Sequence, residues 1–207
     1  MASRPRPRNG ALADERAAGQ TALLVIDMIS VWDFPDAARL LPHAARIAPA
    51  VARLRRRCMA AGVPVIYAND HRGRWRSDFP ALVQQALAAG GEGARIAGLL
   101  APGEQDYFVL KPQQSAFHAT PLALLLQHLQ VRRLLLAGVA SDQCILATAI
   151  AARMRDLEVV VPRDCTATQT VRRQAMVLEQ FDAVFKLSTT PGPRIRLAGA
   201  SSRGTRP

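Results

Sequence analysis

Six short runs rich in apolar and β-branched residues punctuate the chain, at 21–27 (TALLVID), 64–69 (PVIYAN), 106–111 (DYFVLK), 133–139 (RLLLAGV), 158–162 (EVVVP) and 183–188 (AVFKLS). Several are continuously apolar rather than alternating, the pattern of strands covered on both faces. Between them, apolar residues recur every three or four positions. In 43–61 the recurring residues are Ile47, Val51, Leu54 and Cys58, and Gly62 stops the helix ahead of Pro64. Segments 77–89, 119–130, 142–155 and 168–181 read the same way, with Thr120 before Pro121 marking one helix start and Thr168 capping the last helix. The glycine-rich stretch 90–103 reads as a loop or a short irregular helix.

Alternating strands and helices predict an α/β fold: a three-layer αβα sandwich around a six-stranded parallel sheet, Rossmann-like in its winding. Ligands of such sheets bind beyond the carboxyl ends of the strands. That rule selects Asp27, Asn69 with Asp70, Lys111 and the stretch 138–144 for chemical scrutiny.

Composition narrows the class. With 207 residues, 49% of them hydrophobic, the chain fits one globular domain, placed at 20–191 between basic tails at 1–19 and 192–207. Of the formal net charge of +11, the two tails carry +6 and the body +5. Basic tails rich in Pro, Gly and Ser are usually solvated, so no nucleic-acid partner is expected. No apolar run is long enough to span a membrane, and no hydrophobic segment follows the N-terminal arginines. Cys58, Cys144 and Cys165 are odd in number and lack zinc-site spacing, which points to a reducing cytoplasm. The four histidines form no ligand set, so neither metal nor cofactor is expected. Only Lys111 and Lys186 among the 27 basic residues are lysines, which raises the question of whether either position requires an amine.

Cys144 follows a strand and opens a helix. Unpaired amides and the helix dipole at such a place acidify a thiol and can hold an oxyanion. The same local sequence also fits a small buried packing cysteine. Asp27 ends the first strand and reads either as a general base or as a turn cap. Lys111, ending the third strand, suits the support of a thiolate and a carboxylate, or is a surface lysine. Three complementary groups at three strand ends of one parallel sheet converge on one cleft. Cys58 and Cys165 read as packing residues. Arg74, Trp75, Arg76 and Phe79 follow the second strand and serve either substrate or a neighbouring subunit. Asn69, Trp75 and Phe117 are the candidate substrate contacts.

The segments LLVIDM, VLKPQQSAF and LAGVASDQC, which carry Asp27, Lys111 and Cys144, resemble the isochorismatase-like cysteine hydrolases, a family that includes nicotinamidases and N-carbamoyl amidohydrolases. The resemblance covers about 20–190. It implies an Asp-Lys-Cys triad in which Cys144 attacks a carbonyl, Asp27 takes and returns the proton, and Lys111 supports both charges. It further implies a cis peptide at Val139–Ala140, an oxyanion site from the amides of Ala140 and Cys144, and homodimers or homotetramers. Residues 69–75 (NDHRGRW) do not reproduce the Asp-x-His metal pattern of nicotinamidases, which points away from nicotinamide. A cysteine at 144, replaced in true isochorismatases, favours acyl chemistry over ether hydrolysis. The expected function is therefore hydrolysis of an amide, ureide or carbamoyl C–N bond of a small molecule through a thioester. The alternative is a non-catalytic ligand- or partner-binding member of the same fold.

Overall fold

In the computed structural model, which describes residues 20–71 and 78–197, the first apolar run forms β1 (Thr21–Ile26), with every residue buried. Successive side chains of a strand point to opposite faces. Leu23 and Val25 accordingly enter one apolar cluster, and Ala22, Leu24 and Ile26 the other. A strand apolar in both directions needs cover on both sides, which is why it lies at the middle of the sheet. Leu24 pairs in parallel with Ile66 of β2 (Val65–Asp70) and with Leu136 of β4 (Arg133–Val139). With β3 (Tyr107–Lys111) outside β2 and β5 (Glu158–Val160) outside β4, the order is β3-β2-β1-β4-β5. A two-residue β6 (Thr166–Ala167) pairs with the end of β4 through Gly138 and Val139.

The sheet has six parallel strands, as expected, but the sixth is not the expected one. Residues 183–188 form no strand; their contact with the sheet is one bridge between Ser188 and Val160. The preceding helix runs on through a π-helical turn, Gln180–Val184, pinned by fully buried Phe181. Lys186 then takes a left-handed φ of 54°, which breaks any extended run.

On one face pack α1 (Ala37–Ala60), α2 (Phe79–Ala88) and α3 (Gly91–Leu99); on the other, α4 (Leu122–His128), α5 (Leu146–Arg153) and α6 (Val171–Glu179). The α1 helix begins six residues earlier than its periodicity predicts and contains Pro42 and Pro49. Both prolines lie on its exposed side, where water can satisfy the carbonyls they leave unpaired. Its expected apolar stripe is buried at Ile47, Val51, Leu54 and Cys58. Gly62, with φ 69°, ends it, and the Val63 amide returns to the Cys58 carbonyl at 2.9 Å. The stretch 90–103 contains a regular helix, α3. Its Gly93 is a packing glycine: a Cβ there would stand 2.5 Å from Cδ1 of Trp32. Thr120 Oγ1 accepts from the Leu122 amide at 3.2 Å, as a helix-start residue should. The cap of α6 is Thr170, whose hydroxyl accepts from the Arg173 amide at 3.1 Å, not Thr168.

Residues 192–197 pack on the body: Ile195 is 3% exposed, and Arg57 donates to the carbonyls of Gly192 and Ile195. Beside β3, Arg55 and Asp106 form a part-buried ion pair at 2.5 Å, next to Tyr67, whose hydroxyl donates to the Leu100 carbonyl. No helix among the described residues is long and apolar enough to cross a membrane.

Candidate active site

The carboxyl ends of β1, β3 and β4 deliver the three groups singled out in the sequence. Beyond Ile26 the backbone turns through Asp27 at φ 53°, while its amide still donates to Ala68 O at 3.0 Å. Left-handed φ is better tolerated by Asp than by bulkier residues. The Asp27 carboxylate is held from two sides: Oδ1 accepts from the Asp70 amide at 2.8 Å, and Oδ2 lies 2.8 Å from Lys111 Nζ. Lys111 ends β3 and is fully buried. From behind the site its ammonium donates to Cys144 Sγ at 3.4 Å. Lys186, by contrast, is exposed, so of the two lysines Lys111 is the one in contact with Asp27 and Cys144.

Cys144 stands in the π-helical turn Ser141–Ile145 that leads into α5. Close packing of β4 on β1 sets where this turn starts. Gly138 has φ 119°, and a Cβ there would meet the Ile26 carbonyl oxygen at 2.0 Å, so only glycine fits. The Val139–Ala140 peptide that follows is cis, at the position the sequence resemblance implied. The turn is anchored to α6. Ser141 Oγ donates to Gln174 Oε1 at 2.8 Å, and Gln174 Nε2 donates to the Thr166 carbonyl at 3.1 Å. Arg173 Nε reaches Asp142 Oδ2 at 2.5 Å. Thr168, displaced from its expected capping role, donates to Asp142 Oδ1 instead.

The electrostatics correct the expectation of an acidified thiol. Burial, followed by the charge and hydrogen bond of Asp27, pushes Cys144 up to about 12, and Lys111 offsets only part of this. Proximity to a helix start does not outweigh loss of water and a neighbouring carboxylate. Cys144 therefore rests as a neutral thiol. Burial opposes the charge on Lys111 too, yet Asp27 and Cys144 hold its pKa above the ordinary lysine range. The ammonium is fixed.

Asp27 and Cys144 border a cavity of about 530 Å³, and Lys111 does not line it. Asn69, Val139 and Ala140 line it with Asp27 and Cys144, as their strand-end positions suggest. Asn69 is 2% exposed, and its Nδ2 donates to the Ile29 carbonyl at 2.7 Å. Phe117 does not line this cavity. Its ring lies in the opposite apolar cluster, with the Arg155 guanidinium 4.7 Å from the ring centroid. Phe79 is likewise a core residue, packed on Tyr67 and Phe108. Trp75, Arg74 and Arg76 lie outside the described residues. Cys58 and Cys165 are fully buried, away from the cavity. No group of three or more metal-ligating side chains occurs among the described residues.

Strand-end reasoning missed one wall entirely. The loop from β1 to α1 contributes Ser30, Asp33, Phe34, Pro35 and Asp36. It turns sharply, with Trp32 at φ 57° and Asp36 at φ 64°. Its signal was the aromatic and turn-forming run WDFPD at 32–36, directly after the strand bearing Asp27. Gln143, inside the selected stretch 138–144, also lines the cavity, as does Gln169, which no strand end marks.

A profile of the isochorismatase domain matches residues 21–191. The chain is 33% identical over 174 residues to the isochorismatase family protein YaaI of Bacillus subtilis, covering 84% of this chain and 95% of that one. It is 30% identical to a streptothricin hydrolase of Streptomyces noursei over 72% of this chain, and spans only 55% of that longer protein. A probable inactive nicotinamidase of Arabidopsis thaliana is 32% identical, with 72% and 82% covered. Among solved structures, an isochorismatase family protein of Desulfovibrio vulgaris superimposes with a TM-score of 0.69 at 26% identity, covering 84% of this chain and 95% of that one.

Proposed function

This chain belongs to the isochorismatase family, and from that premise we propose that it is a cysteine hydrolase cleaving an amide, ureide or carbamoyl C–N bond of a small molecule through a thioester on Cys144. The observation that carries the reading is the placement of Lys111 Nζ, 2.8 Å from Asp27 and 3.4 Å from Cys144, behind a cavity that both of those residues line. Relatives named as amidohydrolases, acting on maleamate and ureidoacrylate, support the reaction class.

A neutral thiol needs its proton removed as it attacks. Asp27 is the group in contact to take it. As Sγ bonds to the substrate carbonyl carbon, the electron pair of the C=O moves to oxygen, and the amides of Ala140 and Cys144 hold that oxyanion. Asp27 then passes the proton to the leaving nitrogen, the C–N bond breaks, and ammonia or an amine departs. Water adds to the thioester, giving one proton to Asp27. The C–S bond breaks, the acid product leaves, and Sγ recovers the proton. Lys111 stays charged throughout and stabilises the carboxylate and the developing thiolate. Asn69 contacts the substrate from the cavity wall. Three free thiols support a cytoplasmic setting, and exposed Leu124, Met154 and Val171 support association of copies into homodimers or homotetramers.

The test is ammonia release from a panel of small amides, ureides and carbamates by the wild-type chain and by Cys144→Ala, with acid-quenched protein examined by mass spectrometry for an acyl adduct. Loss of turnover on the order of 10⁴-fold or more is expected in the variant. Unchanged turnover in Cys144→Ala would remove Cys144 from the reaction, and binding of substrate-like amides without any turnover in the wild type would favour a non-catalytic ligand-binding role.

A further inference from the structure

Cys144 stands on a π-helical turn in which the Gln143 and Ile145 amides both donate to the Ala140 carbonyl, at 3.1 and 3.2 Å. Turns of this kind are rare, and one that carries a nucleophile needs its position fixed from outside. Here that support comes from α6. Two consecutive residues of the helix grip two consecutive residues of the turn: Gln174 accepts from Ser141, and Arg173 pairs with Asp142. The helix start is itself fixed by Thr170, whose hydroxyl accepts from the Arg173 amide. Neither Gln174 nor Arg173 lines the cavity, so neither is placed to touch substrate.

The two grips are unequal. Ser141 is fully buried, and its Oγ donates to Gln174 Oε1 at 2.8 Å. The other end of the same carboxamide, Nε2, donates at 3.1 Å to the carbonyl of Thr166, the residue of β6 that pairs with Gly138. One side chain thus ties the end of β4, through its strand partner, to the turn that follows it. Water does not reach the Ser141 hydroxyl, so its partner is costly to lose. Arg173 lies 2.5 Å from Asp142, but the two side chains are 43% and 18% exposed, so water and salt weaken that pair.

We propose that Gln174 is a positioning residue for the nucleophile: through Ser141 and Thr166 it holds the turn so that Cys144 Sγ stays against Lys111 and Asp27. Arg173 braces the same turn from outside, more weakly. The proposal rests on the cysteine-hydrolase reading for what the position is used for, and not for the position itself. If the turn slips, two kinds of thiol reactivity part company. In place, burial and then Asp27 push the thiol up to about 12, and Lys111 offsets only part of this. A displaced thiol gains water and leaves Asp27, so it ionises nearer the ordinary 9.0. It also leaves the base that takes its proton and the ammonium that supports it. Such a thiol alkylates more readily and turns over more slowly. A loss of stability alone does not produce that combination.

The test uses the full chain with Gln174→Met, which keeps the length of the side chain and removes both polar atoms, and with Ser141→Ala. One readout is kcat and KM on whichever amide the wild type hydrolyses. The other is the pH dependence of iodoacetamide labelling at Cys144, with buried Cys58 in the same digest as the control for opening of the fold. Gln174→Met is expected to lower kcat on the order of tenfold or more, with KM within about twofold. Its Cys144 labelling profile is expected to move about one pH unit lower, with Cys58 as slow as in the wild type. Ser141→Ala is expected to do the same, and the double variant to lose no more than the worse single variant. Arg173→Ala is expected to cause a smaller loss, one that narrows as salt is added. A kcat per folded molecule and a labelling profile that both match the wild type, additive losses in the double variant, or Cys144 labelling that rises only together with Cys58 overturns the proposal. Should Gln174→Met not fold, Ser141→Ala decides by the same criteria. A shifted labelling profile in a protein that hydrolyses no amide sinks the hydrolase reading and leaves the positioning role standing. Hydrolysis that neither variant affects does the reverse.

Discussion

The Lys111–Asp27 and Arg55–Asp106 pairs are alike in burial and unlike in surroundings. Both bring a cation and a carboxylate together at short range, 2.8 and 2.5 Å, in places with little solvent. In both, burial opposes the cation and its carboxylate partner raises the pKa above the ordinary value. Around Asp106 the second donor is the Gly103 amide at 2.7 Å, and neither member of the pair lines the 530 Å³ cavity. Around Asp27 the third party is a thiol, and a 530 Å³ cavity opens beside both. Perturbed electrostatics alone does not distinguish a site from a structural clamp. What distinguishes them is a nucleophile in contact with the pair and room for a ligand against it.

Breaking each pair tests that contrast. Lys111→Met is expected to produce the largest effect, a fall in turnover of about 10²–10⁴, because Asp27 and Cys144 lose the charge between them. Steady-state assays on whichever amide is turned over provide the measurement. Activity within a few-fold of wild type would return Lys111 to the structural class.

Arg55→Met leaves Asp106 without its cation and is expected to lower stability by about 3–5 kcal/mol. Turnover per folded molecule should stay within about twofold. Urea unfolding followed by tryptophan fluorescence, with an assay of the folded fraction, checks both halves. A specific loss of turnover would erase the distinction between the pairs.

The thiols supply a pH test. Cys58 is pushed from an ordinary 9.0 to about 12 by burial, as Cys144 is by burial and Asp27. The folded state then keeps protons that the unfolded chain releases, so stability is full below pH 9 and is lost as pH rises toward 12. Within that window each thiol contributes a slope of roughly 1.4 kcal/mol per pH unit. Unfolding at pH 8 and above pH 10 should show the loss, and Cys58→Ala should reduce its slope by one thiol's share. A flat profile in the wild type would mean the thiols ionise in the fold.

The smallest expected effect lies at the helix that anchors the nucleophile turn. Thr170→Ala removes the cap of α6 and should cost about 1 kcal/mol. Thr168→Ala, which loses its bond to Asp142, should act on the rate of Cys144 labelling rather than mainly on stability.

Legibility from the chain varied with the range of the forces involved. Continuous apolar runs made β1 and β4 unambiguous, because burial on both faces is written into consecutive residues. The run at 183–188 looks the same locally, yet Phe181 and the turn at Lys186 hold it as helix end and bend. The stretch 90–103 read as a loop or a short irregular helix because nothing nearby in sequence announces Trp32, whose ring fills the space a Cβ on Gly93 would take. Phe117, a candidate substrate contact by sequence, has its ring in the opposite layer beside Arg155.

By itself the sequence determined the α/β class, the parallel strands and the strand ends that bear Asp27, Lys111 and Cys144, since hydrophobic periodicity and turn residues are local properties. The tertiary structure alone decided that these three groups touch, that burial and Asp27 raise the pKa of the thiol, and that residues 29–36 form one wall of the cavity beside them. Those outcomes depend on distance and loss of water between residues far apart in the chain, and no local pattern encodes either.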